Sequence, residues 1–341
     1  MSPKSLPILA VTPGDPDGIG PELLWSTLRS RRFPSTQVRL LCVGAAEPFQ
    51  KMGVPLVETT LERLRAGDFP EIRKGPYVWI LPAPPKRLPG FQSGWAIEIA
   101  TQLIEEKIAA AVTTGPISKE RLQKGGYLYP GHTEFFAALC SKKTPRRPAK
   151  PIEPTMMLAN DKLRVSLVTT HLALSDVSQE LTRARIRRCI THTKDALKSG
   201  WGTKNPRIAV CALNPHAGEN GLFGCEEKKI IAPEIRALQK KFKNTATLSG
   251  PHPADTLFAN HVNGKNYDAI VCMYHDQGLI PVKLIDFANT VNITLGLPII
   301  RTSVDHGVAF DLVGTGTADP SSLQAAIKLA VQLLRFSARQ A

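Results

Sequence analysis

The chain has 341 residues, 43% hydrophobic and 21% charged, and its 43 Lys and Arg against 29 Asp and Glu give a formal net charge of +14. That composition belongs to a globular chain with room for about two domains and excludes a disordered or fibrous one. No apolar stretch approaches the ~20 residues that cross a bilayer, and the start lacks the apolar core and cleavage site of a secretory leader. A cytoplasmic address without membrane attachment is therefore expected.

The first half alternates apolar runs with helical stretches. PILAVT opens the series, followed by the turn PGDPDGIG and a helix predicted to begin near Pro21-Glu22. The turn matches neither G-x-G-x-x-G nor the Walker pattern, and reads either as a phosphate-binding turn or as a tight connection with Pro21 in the first helical turn. VRLLCVG (38–44), YVWIL (77–81) and AAAVTT (109–114) continue the strands, and SGWAIEIATQLIEEKI repeats its apolar residues at helical spacing. Such alternation predicts a predominantly parallel, doubly wound α/β architecture. TTGPISKE (113–120) presents Thr114 and Lys119 at a strand tip, and PGHTEFF (130–136) puts His132 and Thr133 at a helix start. Backbone N–H groups there favour an anion, while a capping or packing role is the preferred reading of His132 on its local context alone. A change of character over 126–151 marks the crossing into a second domain.

In the second half, three apolar runs end on a histidine: RVSLVTTH at His171, RIAVCALNPH at His216 and AIVCMYHD at His275. Each reads as a strand buried on both faces, and ligands of open α/β sheets bind beyond the carboxyl ends of strands. Three of the eight histidines thus share one context and could converge on a metal ion. Separate loop roles with local hydrogen bonds are the alternative, and pattern alone leaves both open. The stretch from 274 to 301 adds Asp276, Lys283, Asn292 and Arg301. Lys and Arg suit a phosphate or carboxylate, as a point charge and a fork, or else form ordinary surface ion pairs. Residues 291–320 are dense in Gly, Asp and Thr, as in a ligand-binding loop, and SSLQAAIKLAVQLLRF closes the chain as a helix.

The positive charge gathers in 141–150, 183–188 and 226–243, without interleaved aromatics that would stack nucleic-acid bases. A field that collects small anions fits this better, and nucleic acid is not the expected partner. Cys42, Cys211 and Cys272 lie in apolar runs and no C-x-x-C pair is present, so reduced structural thiols are expected.

TPGDPDGIGPE, TGPISK, GHTEFFA, MMLA, VSLVTTHLAL, LNPHAGENGLFGCEE, PADTLF, YHDQGLIPVK and VNITLGLPIIRTSVDHG follow one another across nearly the whole chain. This ordered set resembles the 4-hydroxythreonine-4-phosphate dehydrogenase family of pyridoxal-phosphate biosynthesis. DHGVAFDLVGTGTADP is also similar to the cofactor loop of isocitrate and isopropylmalate dehydrogenases. That likeness implies their bilobed α/β/α fold with mostly parallel sheets, binding NAD (or NADP) without a G-x-G-x-x-G turn. The expected domains are 1–130 with 296–341, carrying the cofactor loop, and 131–295, carrying the histidines and dimer contacts. The resemblance implies His171, His216 and His275 as ligands of one divalent metal (zinc, magnesium or cobalt). It implies His132, Thr133, Lys283, Asn292 and Arg301 as substrate contacts, and His306, Gly307, Asp311 and Gly316 as cofactor contacts. A homodimer with shared active sites is implied too. The implied reaction oxidises the C3 hydroxyl of 4-phosphooxy-L-threonine to a β-keto acid, which decarboxylates to 3-amino-2-oxopropyl phosphate. Asp276, beside a ligand, is the candidate general base. Relatives acting on 4-phosphothreonate or 4-phosphoerythronate are the rivals within the class, and a phosphate acyltransferase is the rival outside it. The long basic stretch 141–152 and His252 in GPHPADT depart from the family pattern, the latter near Asp255.

Overall fold

A computed structural model describes residues 6–31, 33–34, 36–71, 75–141, 151–264 and 266–338. The strands in chain order are β1 (Ile8–Thr12), β2 (Arg39–Gly44), β3 (Leu56–Glu58), β4 (Val78–Pro82), β5 (Ala111–Thr114) and β6 (Thr155–Ala159). They continue as β7 (Arg164–Leu167), β8 (Arg207–Cys211), β9 (Thr247–His252), β10 (Ala269–Cys272), β11 (Val291–Leu295) and β12 (Arg301–Ser303). The chain divides into two compact units, one of Met1–Pro154 with Leu297–Leu334 and one of Thr155–Gly296 with Arg335–Ala341. Both are α/β and mostly parallel.

In the first unit the strand order is β3-β4-β2-β1-β5-β12, every neighbouring pair parallel. The β1 residues are all buried because successive side chains serve opposite faces of the sheet. Leu9 and Val11 join a core with Leu23 and Leu24 of the helix Gly20–Arg29 and Ile327 of the C-terminal helix. Ile8 and Ala10 join the other core, built with Ile97 and Leu103 of the helix Pro89–Glu105. That helix begins earlier than the apolar periodicity suggests, because Pro89 occupies its first turn, where a missing N–H costs nothing.

The second unit runs β11-β6-β7-β10-β8-β9, with β11–β6 and β6–β7 antiparallel and the remaining pairs parallel. Leu158, Val165, Ala209 and Ile270 from its strands pack with Leu279 and Val282 of the helix His275–Ile285.

The crossing between units lies at Pro154, just beyond the 126–151 change of composition and later than the 130/131 boundary that the resemblance implies. The helix His132–Cys140 stays with the first unit because it buries Phe135 and Phe136 in that core, where the Phe135 ring stacks on Tyr129 at 4.2 Å. The basic residues 142–150 lie outside the described residues. The second basic cluster falls on the helix Arg183–Trp201, where Arg187 pairs with buried Glu234 at 2.7 Å, Arg185 pairs with Glu180, and Arg183 donates to the Lys229 carbonyl. Those charges are engaged within the fold. Among the described residues, no helix is long and apolar enough to cross a membrane.

Candidate active site

The second unit brings the three histidine-terminated runs side by side. Strands β7, β10 and β8 are consecutive neighbours and mutually parallel, so His171, His216 and His275 all follow carboxyl ends at one edge of that sheet. The edge is tied together by Gln277, which accepts from the Met273 N–H at 2.7 Å and donates to the Ala212 carbonyl at 2.7 Å. The ring centroids of His171 and His275 are 5.8 Å apart. Two imidazoles on one tetrahedral ion, with metal–nitrogen distances of about 2.1 Å, hold their centroids about 5 Å apart, so this pair suits a shared cation.

His275 opens its helix, and its Nδ1 faces Asp276 Oδ1 at 2.7 Å. With that nitrogen donating to the carboxylate, Nε2 is left with its lone pair outward, the tautomer a metal ligand needs. His216 is exposed and tilted toward Phe223, with centroids 6.2 Å apart. Among the described residues, no group of three His, Cys, Asp or Glu side chains is close enough to hold a metal ion within one chain.

The first unit assembles a second cluster. Arg301 on β12 is only 2% exposed; it donates to Thr114 Oγ1 at 2.9 Å, lies 3.5 Å from Thr133 Oγ1, and sits over the Phe136 ring with its guanidinium carbon 5.5 Å from the centroid. Burial pushes its pKa down to about 10, against the opposing pull of Glu134, so the guanidinium remains charged at neutral pH. His132 stacks on the same Phe136 ring, with centroids 6.4 Å apart. Burial, reinforced by the Arg301 charge, holds its pKa well below the ordinary imidazole range, so the ring is neutral. Its Nε2 is buried and has no hydrogen-bond partner among the described residues. The helix it opens has an extended Gly131 and no side-chain cap, leaving the first-turn N–H groups without one. A guanidinium, an imidazole nitrogen, a hydroxyl and an open helix N-terminus together suit an oxyanion such as phosphate.

Lys283 and Asn292 belong to the second unit. The Lys283 ammonium lies 5.5 Å from the Phe287 ring centroid, and Asn292, on β11, keeps a buried Oδ1 without a partner among the described residues.

The turn-rich loop after β12 stands on the opening turn of the chain. Ile19 N–H donates to the Val308 carbonyl at 3.1 Å, the Gly314 N–H to Glu22 Oε1 at 2.6 Å, and the Arg121 guanidinium lies 4.4 Å from the Phe310 ring centroid. Arg121 also reaches Asp15 and Asp17, at 3.1 and 2.7 Å. Gly316 has φ +70, and neither it nor Gly307 has any atom within 4 Å of where a Cβ would stand, so a bound molecule can approach the backbone there. His306 and Asp311 lie in the same loop, His306 with a buried Nε2 that has no partner among the described residues. Glu22 and Arg121 escaped the reading of the sequence. Both lie in or beside motifs singled out there, but only the folded contacts show what they support.

The family model described as pyridoxal phosphate biosynthetic protein PdxA matches residues 81–330. The chain belongs to the PdxA family. A 4-hydroxythreonine-4-phosphate dehydrogenase of Desulforapulum autotrophicum is 43% identical over 337 residues, covering 95% of this chain and 94% of the relative. A D-threonate 4-phosphate dehydrogenase of Pectobacterium atrosepticum is 40% identical, covering 96% and 99%. The crystal structure of 4-hydroxythreonine-4-phosphate dehydrogenase from Klebsiella pneumoniae matches with TM-score 0.82 at 36% identity, over 97% of this chain and 98% of that one. As a PdxA-family dehydrogenase, the protein is an oxidoreductase, and its class implies a nicotinamide cofactor and a phosphorylated small-molecule substrate. The acyltransferase reading falls with that membership.

Proposed function

We propose that this PdxA-family chain oxidises the C3 hydroxyl of 4-phosphooxy-L-threonine with NAD or NADP and one divalent cation. The observation that carries the reading is the delivery of His171, His216 and His275 to the ends of three adjacent parallel strands, with the His171–His275 pair already at a metal-sharing distance. When bound, the cation would act as a Lewis acid at the hydroxyl oxygen and the nicotinamide would accept the hydride. His171, His216 and His275 are the ligands on this reading. Asp276 then orients His275 through Nδ1 instead of serving as the general base, since its side chain is 70% exposed and bonded to the ligand itself.

Arg301, neutral His132 and Thr133 hold the phosphate, with Lys283 and Asn292 as further substrate contacts. Fixing the phosphate fixes the carbon next to it, which brings C3 into register for loss of hydride and of the hydroxyl proton. The product is a β-keto acid, so loss of carbon dioxide follows readily and leaves 3-amino-2-oxopropyl phosphate. The loop carrying His306, Gly307, Asp311 and Gly316 takes the dinucleotide, its open glycines admitting close approach.

The reading includes a homodimer that completes the metal site, since among the described residues no three His, Cys, Asp or Glu side chains gather closely enough within one chain. Exposed Ile280 and Leu284, four residues apart on one helix, and Phe287 just beyond it supply apolar surface for a second copy. All six cysteines are free thiols, which suits a cytoplasmic address.

D-threonate 4-phosphate is the second reading, supported by the 40% identical relative of that name. It carries a hydroxyl at C2 where 4-phosphooxy-L-threonine carries an ammonium, and C3 oxidation again yields a β-keto acid. The test is NADH formation from each substrate, and from 4-phosphoerythronate, before and after chelator treatment. Turnover that persists after the metal is stripped would refute the mechanism. A kcat/KM favouring threonate 4-phosphate would replace the substrate and leave the mechanism standing.

A further inference from the structure

The loop that carries His216 adopts a conformation that L-residues avoid. His216, Ala217, Gly218, Glu219 and Asn220 have φ of 52, 53, 74, 40 and 57°, a run of left-handed residues of which only one is glycine. Side chains at such φ crowd the following carbonyl, so the run persists only where its surroundings over-determine it.

One carboxylate does so from both sides of the histidine. Glu227 is 5% exposed and opens a π-helical turn, Glu227–Ile231. Its Oε1 accepts the backbone N–H groups of Leu213 and Asn214, at 2.9 and 2.8 Å, and its Oε2 accepts Asn214 Nδ2 at 3.0 Å. On the far side of His216, a Cβ on Gly218 would stand 2.6 Å from Oε2, so the loop returns against the same carboxylate. Asn214 is gripped a second time by Glu226 Oε2 at 2.8 Å, and Glu226 in turn accepts from Ser178 Oγ. The residues two before and two after His216 are thus seated on Glu227, which fixes the direction of the Cα–Cβ bond from which its imidazole projects.

We propose that Glu227 is the positioning residue for His216, aiming it at the cation without touching the cation itself. The proposal rests on His216 being a metal ligand. Asp276 meets its own histidine through a direct bond to the ring, whereas Glu227 acts on the backbone that carries the ring. Glutamine at 227 would turn an NH2 group toward the Asn214 NH2 that the second carboxylate oxygen now accepts, and the loop would lose that bond and the negative charge behind its backbone N–H groups.

The test is cobalt(II) binding to metal-stripped enzyme, followed by calorimetry and by the visible absorption of the bound ion. The proteins compared are wild type, Glu227→Gln, His216→Ala and the double variant. Removal of partners behind a ligand lowers metal affinity about 10- to 100-fold, and that is the expected loss for Glu227→Gln, with a changed cobalt spectrum. In the His216→Ala background the same substitution should cost no further affinity. Wild-type affinity in His216→Ala would overturn the metal reading. Weakened binding in His216→Ala, with Glu227→Gln either unaffected or equally harmful in both backgrounds, would overturn the positioning role alone. Asn214→Ala, which keeps the backbone bonds to Glu227 and removes only the side-chain clamp, carries the same comparison if Glu227→Gln does not fold by circular dichroism.

Discussion

Replacing Arg301 by lysine tests the anion site of the first unit through its pH dependence. The guanidinium is 2% exposed and burial lowers its pKa to about 10, so it keeps its charge throughout the neutral range. An ammonium in the same surroundings starts from a lower ordinary value of about 10.4, and a comparable burial penalty brings it to about 8. The sign follows directly: burial disfavours the cation, so the lysine is charged below that value and neutral above it. Charge-assisted hydrogen bonds to a phosphate contribute about 1.5–3 kcal/mol, equivalent to about 10- to 150-fold in affinity. As the charged fraction of that lysine falls from about 0.9 at pH 7 to about 0.1 at pH 9, steady-state KM for the phosphorylated substrate should rise about 5- to 10-fold in Arg301→Lys, while wild-type KM stays flat. Metal content and dinucleotide KM should not change, because Arg301 is assigned to the phosphate and not to the cation or the dinucleotide. A KM in the variant that matches wild type in size and pH profile would refute the assignment of Arg301 to the phosphate. Loss of metal would contradict that division of labour.

His171→Ala and His275→Ala should each abolish turnover and bound metal while the far-ultraviolet circular dichroism is retained; a fully active variant removes that histidine from the ligand set. Asp276→Asn should weaken metal binding by about 10- to 100-fold, the usual cost of losing a carboxylate behind a ligating imidazole, measured by competition with a chromophoric chelator. Had Asp276 been the base, metal affinity would stay at the wild-type level while kcat collapsed. Glu22→Ala should raise KM for the dinucleotide and leave KM for the phosphorylated substrate unchanged, because it releases the Gly314 N–H that ties down the turn-rich loop. Leu284→Glu should shift the sedimentation coefficient toward that of a monomer and lower activity with it; an unchanged dimer would move the interface elsewhere.

Most strands were legible in the sequence because burial on both faces of a parallel sheet leaves a local mark, a short run of Val, Ile, Leu and Ala ended by turn residues. PILAVT, VRLLCVG and YVWIL carry β1, β2 and β4, and the three histidine-terminated runs carry β7, β8 and β10. Phe135 and Phe136 illustrate the opposite case. Nothing local to PGHTEFF tells which core those rings enter, so the 130/131 boundary falls short of Pro154. Helix and strand identity, the histidine positions and the family signature were thus determined by the order of residues alone, since each depends on neighbours a few positions away. The adjacency of β7, β10 and β8, the Asp276–His275 bond and the seating of the His216 loop on Glu227 were decided only in the tertiary structure. They join groups whose separation along the chain carries no period, and the energy that selects them comes from packing and hydrogen bonds made after the chain has closed on itself.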